Sequence, residues 1–125
     1  MERLYQNYRN RVAFLFVYIQ EAHPDDGSQI PENKKDDVIV RQPKTFDERK
    51  AVATKCCSKL NLSIPCVIDT EDNKADEAYA AWPERLFIIG TDAKIAYAGK
   101  VGPSGFKPKE VEDWLKEHVG PPKKP

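Results

Sequence analysis

Apolar and polar positions alternate along the chain in blocks whose periods differ, and each block predicts an element. Leu4, Tyr5 and Tyr8 lie at helical spacing, so residues 2–10 read as a short helix. Residues 12–19, Val-Ala-Phe-Leu-Phe-Val-Tyr-Ile, are continuously apolar, β-branched and aromatic. Such a run predicts a strand covered on both faces, as in a parallel sheet. Residues 24–37 carry Pro24, Asp25, Asp26, Gly27 and Pro31 and read as a long loop, with 38–40 as a short edge strand. Thr45 followed by Glu48 is a capping-box pattern opening a helix to about Leu60, with Phe46, Ala53, Cys57 and Leu60 close to one stripe. Residues 64–69, Ile-Pro-Cys-Val-Ile-Asp, form a second strand with its proline at the entry, where a ladder donor can be spared.

A short helix over 72–81 stops before Trp82-Pro83. Residues 85–89 and 94–98 are strands separated by four residues, a gap that permits only an antiparallel hairpin. Pro108 takes the first turn of a last helix whose stripe is Val111, Trp114, Leu115 and His118, and Gly120 ends it. The order helix, strand, helix, strand, helix, hairpin, helix predicts one α/β domain over residues 1–120. Its mixed sheet would be parallel on one side and antiparallel on the other, flanked by helices, with 121–125 as a disordered tail.

Charge narrows the function. Twenty Lys and Arg balance twenty Asp and Glu, so the basic face that a nucleic-acid or anionic-membrane binder requires is not expected. The longest apolar run, eight residues, is short of the ~20 that cross a bilayer. Three cysteines, two of them adjacent, fit reduced thiols in a cytoplasmic protein better than a disulfide framework. Cys56 and Cys57 fall inside a helix rather than at its start, and with Cys66 they read first as core residues. Two histidines and no His or Cys pair at zinc spacing argue against a metal site.

Glu21 and His23 follow directly on the first strand, beyond the C-terminal end where open α/β sheets place ligands. In an extended segment their side chains share one side, so the carboxylate can tune the imidazole. The plainer reading is a loop histidine held by its neighbour. Arg85, at a strand start, is equally well read as a structural partner of a carboxylate. Gly102 and Gly105 read as turn glycines rather than a phosphate cradle.

Three stretches together resemble the iodothyronine deiodinases, a branch of the thioredoxin-fold redoxins. Residues 16–27, Phe-Val-Tyr-Ile-Gln-Glu-Ala-His-Pro-Asp-Asp-Gly, are similar to that family's Tyr-Ile-Glu-Glu-Ala-His segment and the Asp-Gly that follows. Residues 78–89, Ala-Tyr-Ala-Ala-Trp-Pro-Glu-Arg-Leu-Phe-Ile-Ile, are the second stretch, and Gly102-Pro103 with Ser104-Gly105-Phe106 and the final helix are the third. The resemblance runs over roughly residues 3–118. It implies an oxidoreductase that removes iodine reductively from an aromatic ring through a selenocysteine or cysteine nucleophile, with a small-molecule or thiol redox substrate and no cofactor. Tyr18, Glu21 and His23 would then be the proton-delivery and substrate-holding group. Pro83 would stand where redoxins keep a cis-proline facing the nucleophile. The family's Arg before Gly-Pro is Val101 here, with Lys100 beside it, and a second family histidine aligns with Pro43. Pro83, Arg85 and Lys100 are thus the substrate-side candidates.

The family's nucleophile lies upstream of the segment matching Leu4 to Tyr8, and none of Cys56, Cys57 and Cys66 takes its place. The expectation is a thioredoxin-like domain whose first strand and nucleophile segment are missing, catalytically dead alone. The missing strand would lie between 12–19 and 85–89. Either these two strands pair directly, or the gap is filled by another chain, as in a homodimer, or by missing sequence. Two further classes stay open: a non-catalytic binding or assembly module on the same scaffold, and a thiol peroxidase or reductase using Cys66 or the Cys56-Cys57 pair.

Overall fold

The computed structural model describes residues 1–21 and 44–122. The loop at 24–37, the edge strand at 38–40 and His23 lie outside the described residues. Helix α1 spans Glu2–Tyr8 and strand β1 Phe16–Tyr18; helix α2 spans Phe46–Lys59 and strand β2 Cys66–Ile68. Helix α3 (Lys74–Tyr79), strands β3 (Phe87–Ile89) and β4 (Ile95–Ala98), and helix α4 (Pro108–His118) complete the described order.

The predicted caps form. The Thr45 hydroxyl accepts from the Glu48 N–H at 3.1 Å, and the Glu48 carboxylate accepts from the Thr45 N–H at 3.3 Å. This reciprocal pair satisfies orphan donors at the start of α2. Pro108 occupies the first turn of α4. Strand β1 pairs parallel with β2, Val17 opposite Val67, and β3 pairs antiparallel with β4, Ile88 opposite Tyr97.

The parallel and antiparallel halves form as predicted, but among the described residues they are two separate two-stranded sheets rather than one mixed sheet. Strands β1 and β3 do not pair directly. The Phe16 N–H donates to the Pro65 carbonyl and the Tyr18 carbonyl accepts from Asp69 N–H, both at 2.9 Å. Backbone groups alternate in direction along a strand, so Val17 turns its own to the opposite edge.

Helices α1 and α4 supply the core that joins the halves. Leu4, Tyr8, Val111 and Leu115 are buried together, and Val12, Phe14, Leu86, Ile88, Tyr97 and Trp114 pack against them. Both segments, the lead-in to β1 and the hairpin, thus rest on one helix pair.

Several expectations of burial are corrected. The apolar run at 12–19 yields a strand of only three residues, and Phe16 and Val17 are each 39% exposed. Its first half serves the α1–α4 core instead of a ladder, and among the described residues β1 meets another strand on one edge only. Phe46 and Leu60 are exposed; the side chains that α2 buries are Arg49 and Ala53. Cys66 is exposed rather than core. His118 is exposed and stacks on Trp114 with ring centroids 4.2 Å apart, because the α4 stripe narrows to Val111 and Leu115 at the core.

Candidate functional site

Two of the candidate residues, Tyr18 and Glu21, meet at the C-terminal end of β1. Tyr18, the last residue of β1, is buried, and its hydroxyl is hydrogen-bonded to the Glu21 carboxylate. Holding that carboxylate against a phenol orients both groups at the strand end and gives an acid–base pair a defined geometry.

Behind them lies a buried polar network that sequence reading missed. Arg49, Asp69 and Asp76 are each only 4% exposed. Asp69 follows β2 immediately. Its Oδ1 accepts from Thr70 N–H at 2.8 Å and Ala75 N–H at 2.9 Å, and its Oδ2 from Asp76 N–H at 2.9 Å. This carboxylate caps the first turn of α3 from outside the helix, in place of a side-chain cap from Asn73. Burial works against its charge, but the N–H groups of Asp76, Ala75 and Thr70 and the nearby Arg49 outweigh it and hold its pKa below the usual carboxylate value. Arg49 reaches from α2 to the Thr70 carbonyl and Asn73 Oδ1, each at 2.7 Å, and to the Asp69 carbonyl at 3.4 Å. A buried guanidinium needs such a set of acceptors. A signal was present in the sequence: an arginine among the inward positions of an amphipathic helix.

Asp76 carries the network to the site. It accepts from Gln20 Nε2 at 2.8 Å and from the Trp82 N–H at 3.0 Å. Gln20 adjoins Glu21, and Trp82 precedes Pro83, so one carboxylate touches the neighbours of both candidate groups. Trp82-Pro83 is a cis peptide bond, as is Gly102-Pro103.

Arg85 is committed to the frame. Its Nε donates to the Gly99 carbonyl at 2.6 Å and its Nη1 to the carbonyls of Tyr79 and Ala80 at 3.1 and 3.4 Å, while its guanidinium lies 4.9 Å above the Phe87 ring. Its partners are therefore carbonyls, not the carboxylate that a structural role suggested. Lys100 is exposed, next to Gly99, and the Gly102 N–H donates to the Glu84 carbonyl at 2.9 Å. The structure thus groups Pro83, Arg85 and Lys100 around the ends of the hairpin and joins that group to Tyr18 and Glu21 through Asp76.

The three cysteines are free thiols. Partial burial of its sulfur, then the thiol of Cys57, pushes Cys66 up to about 11 although the residue as a whole is exposed, and burial followed by the Glu21 charge raises Cys56. An attacking thiol requires the opposite shift. Among the described residues no cluster of three ligating side chains could hold a metal ion. Nor is any described helix long and apolar enough to cross a membrane.

Fold and site together define a mixed α/β domain with an ordered phenol–carboxylate pair at its parallel strand ends. The family model described as iodothyronine deiodinase matches residues 1–119, and the chain belongs to that family. It is 36% identical over 109 residues to a type I iodothyronine deiodinase of Xenopus laevis, covering 87% of this chain and 41% of that protein. It is 35% identical over 118 residues to the human type II iodothyronine deiodinase, covering 93% and 43%. With the human thyroxine 5-deiodinase it shares 32% identity over 117 residues, covering 94% and 37%. The chain spans less than half the length of these relatives.

Proposed function

We propose that this chain is the substrate-holding and proton-delivering part of a reductive dehalogenase acting on an iodothyronine. The observation that carries the reading is the Tyr18–Glu21 pair, ordered at the end of β1 inside a chain that matches the deiodinases over residues 1–119. The reaction replaces a carbon–iodine bond by carbon–hydrogen. Two electrons come from a thiol-class reductant, which leaves as a disulfide; iodide departs and the ring carbon takes a proton. In this reading Tyr18 and Glu21 deliver that proton, since a phenol held by a carboxylate can donate and be reprotonated, and His23 is assigned to the same group by the family resemblance alone. Pro83 and Lys100 line the substrate side, with Arg85 holding the backbone beneath them. The attacking sulfur or selenium is not one of Cys56, Cys57 or Cys66 in this reading, and the raised Cys56 and Cys66 pKa values support that assignment. The free thiols fit a reducing compartment such as the cytoplasm.

The test is equilibrium binding of thyroxine to the chain by fluorescence, together with iodide release in the presence of dithiothreitol. Saturable binding weakened about tenfold by Tyr18→Phe or Glu21→Gln, with no iodide released by the chain alone, is the expected result. Binding that ignores both substitutions, or none at all, overturns it.

A second reading, an assembly module, is favoured by one observation. Phe16 and Val17 on β1, one edge of which no described strand covers, and Ile89 at the end of β3 are 39%, 39% and 50% exposed. A second copy pairing there would cover them. Sedimentation at micromolar concentration should then show a dimer that Val17→Lys dissociates; a monomer that Val17→Lys leaves unchanged rejects it.

A further inference from the structure

Asp76 stands in a helix of six residues, far along the chain from Tyr18 and Glu21, and is among the most buried ionisable groups described. Its two carboxylate oxygens are divided between two loops that are distant in sequence. Oδ2 takes the Gln20 amide at 2.8 Å and Oδ1 takes the Trp82 N–H at 3.0 Å. Its own N–H is fixed at 2.9 Å by Asp69 Oδ2, and Asp69 lies at the end of β2, paired through its N–H to the Tyr18 carbonyl at 2.9 Å. A closed circuit results: Tyr18, Asp69, Asp76, Gln20 and back along the chain to Tyr18, with Trp82 attached at Asp76. Every link but the stretch of chain from Gln20 to Tyr18 is a hydrogen bond of ordinary length, and in a buried network each bond supports the orientation of the next.

We propose that Asp76 is a positioning residue that sets the segment bearing Tyr18 and Glu21 and the segment bearing Pro83 at a fixed separation, so that the two sides of the site are ordered as one unit. The functional meaning rests on the reading given above, while the coupling itself does not. Asp76 suits the role for a chemical reason. A carboxylate offers two acceptors in a fixed plane and no donor, so it can hold one donor from each loop at once. Asn retains one such oxygen and Ala none.

The test uses nuclear magnetic resonance of the full chain, which needs no turnover. Gln20→Ala should shift the backbone amide of Trp82, although Gln20 and Trp82 touch only through Asp76. Asp76→Ala should move the Trp82 amide proton upfield, as it loses its acceptor, and displace the Tyr18 ring and Glu21 amide resonances. At the Trp82 amide the double variant should show no more than Asp76→Ala alone, because both substitutions cut the same link. Tyr8→Phe, a substitution in the distant α1–α4 core, should move none of these signals. Should Asp76→Ala not fold, Gln20→Ala carries the test, since it leaves Asp76 bonded to Trp82. Shifts confined to the neighbours of each substitution, or shifts that simply add in the double variant, overturn the proposal. A chain that binds no iodothyronine but shows the coupled shifts keeps it and rejects only the substrate reading.

Discussion

The Tyr8 hydroxyl donates to the Gly120 carbonyl at 2.9 Å, tying the first helix to the residue that ends the last one. Tyr8 is 1% exposed, and Arg11 closes the same junction, its guanidinium 4.8 Å above the Tyr8 ring and bonded to the Pro121 carbonyl at 2.8 Å. Pro121, expected in the frayed tail, is therefore held. Tyr8→Phe keeps the packing and loses one hydrogen bond, so unfolding in urea should show a loss of about 1 kcal/mol. Leu115→Ala, beside it in the core, should cost about 2–5 kcal/mol.

Asp69 makes stability depend on acid. Its folded pKa lies below its unfolded one, so the stabilisation is complete above the unfolded value of about 3.9 and is lost as pH falls through the folded value. The urea midpoint of the wild-type chain should fall more steeply below about pH 4 than that of Asp69→Asn. At pH 7 the variant should be less stable by about 1–3 kcal/mol, since it cannot accept all three N–H groups. Parallel acid profiles for the two proteins would show that Asp69 is not the group responsible.

Cys66 combines exposure with a pKa of about 11. At pH 7 roughly one molecule in 10⁴ carries the thiolate, so alkylation by iodoacetamide should be slow and should quicken about tenfold per pH unit. Cys57→Ala removes one cause of the shift and should speed the reaction. Rapid labelling of Cys66 at neutral pH would revive a peroxidase role for this thiol.

Gly105 is required by close approach. A Cβ there would lie 2.5 Å from the Val101 carbonyl oxygen and 2.6 Å from the Lys100 carbonyl carbon, both backbone atoms. Gly105→Ala must displace the loop that carries Lys100, and thermal unfolding should register a cost of about 1–3 kcal/mol.

Elements with a local cause were legible in the sequence. The capping box at Thr45 and Glu48, the four-residue gap of the hairpin and Pro108 at the head of α4 each involve neighbours within a few residues, so periodicity and turn chemistry suffice to place them. The motif around Tyr18 and Glu21 pointed to the same strand end that the structure orders. The family, too, was readable from short segments in the right order.

What periodicity could not supply is which apolar or charged residue finds a partner across the fold. Phe46, Leu60 and His118 lie on inward stripes by spacing, Cys66 lies in a strand expected to be buried, and all four are nonetheless exposed, because burial depends on what stands opposite a face, not on the face itself. Arg49, Asp69 and Asp76 were not singled out by the sequence and are buried, because their partners come from α2, the end of β2 and the loops after β1 and α3. A hydrogen-bond circuit closes only when those elements meet. The amino-acid order determined the elements and the family through local chemistry, while tertiary contact alone decided the network that holds the site, since its bonds join residues that sequence spacing does not relate.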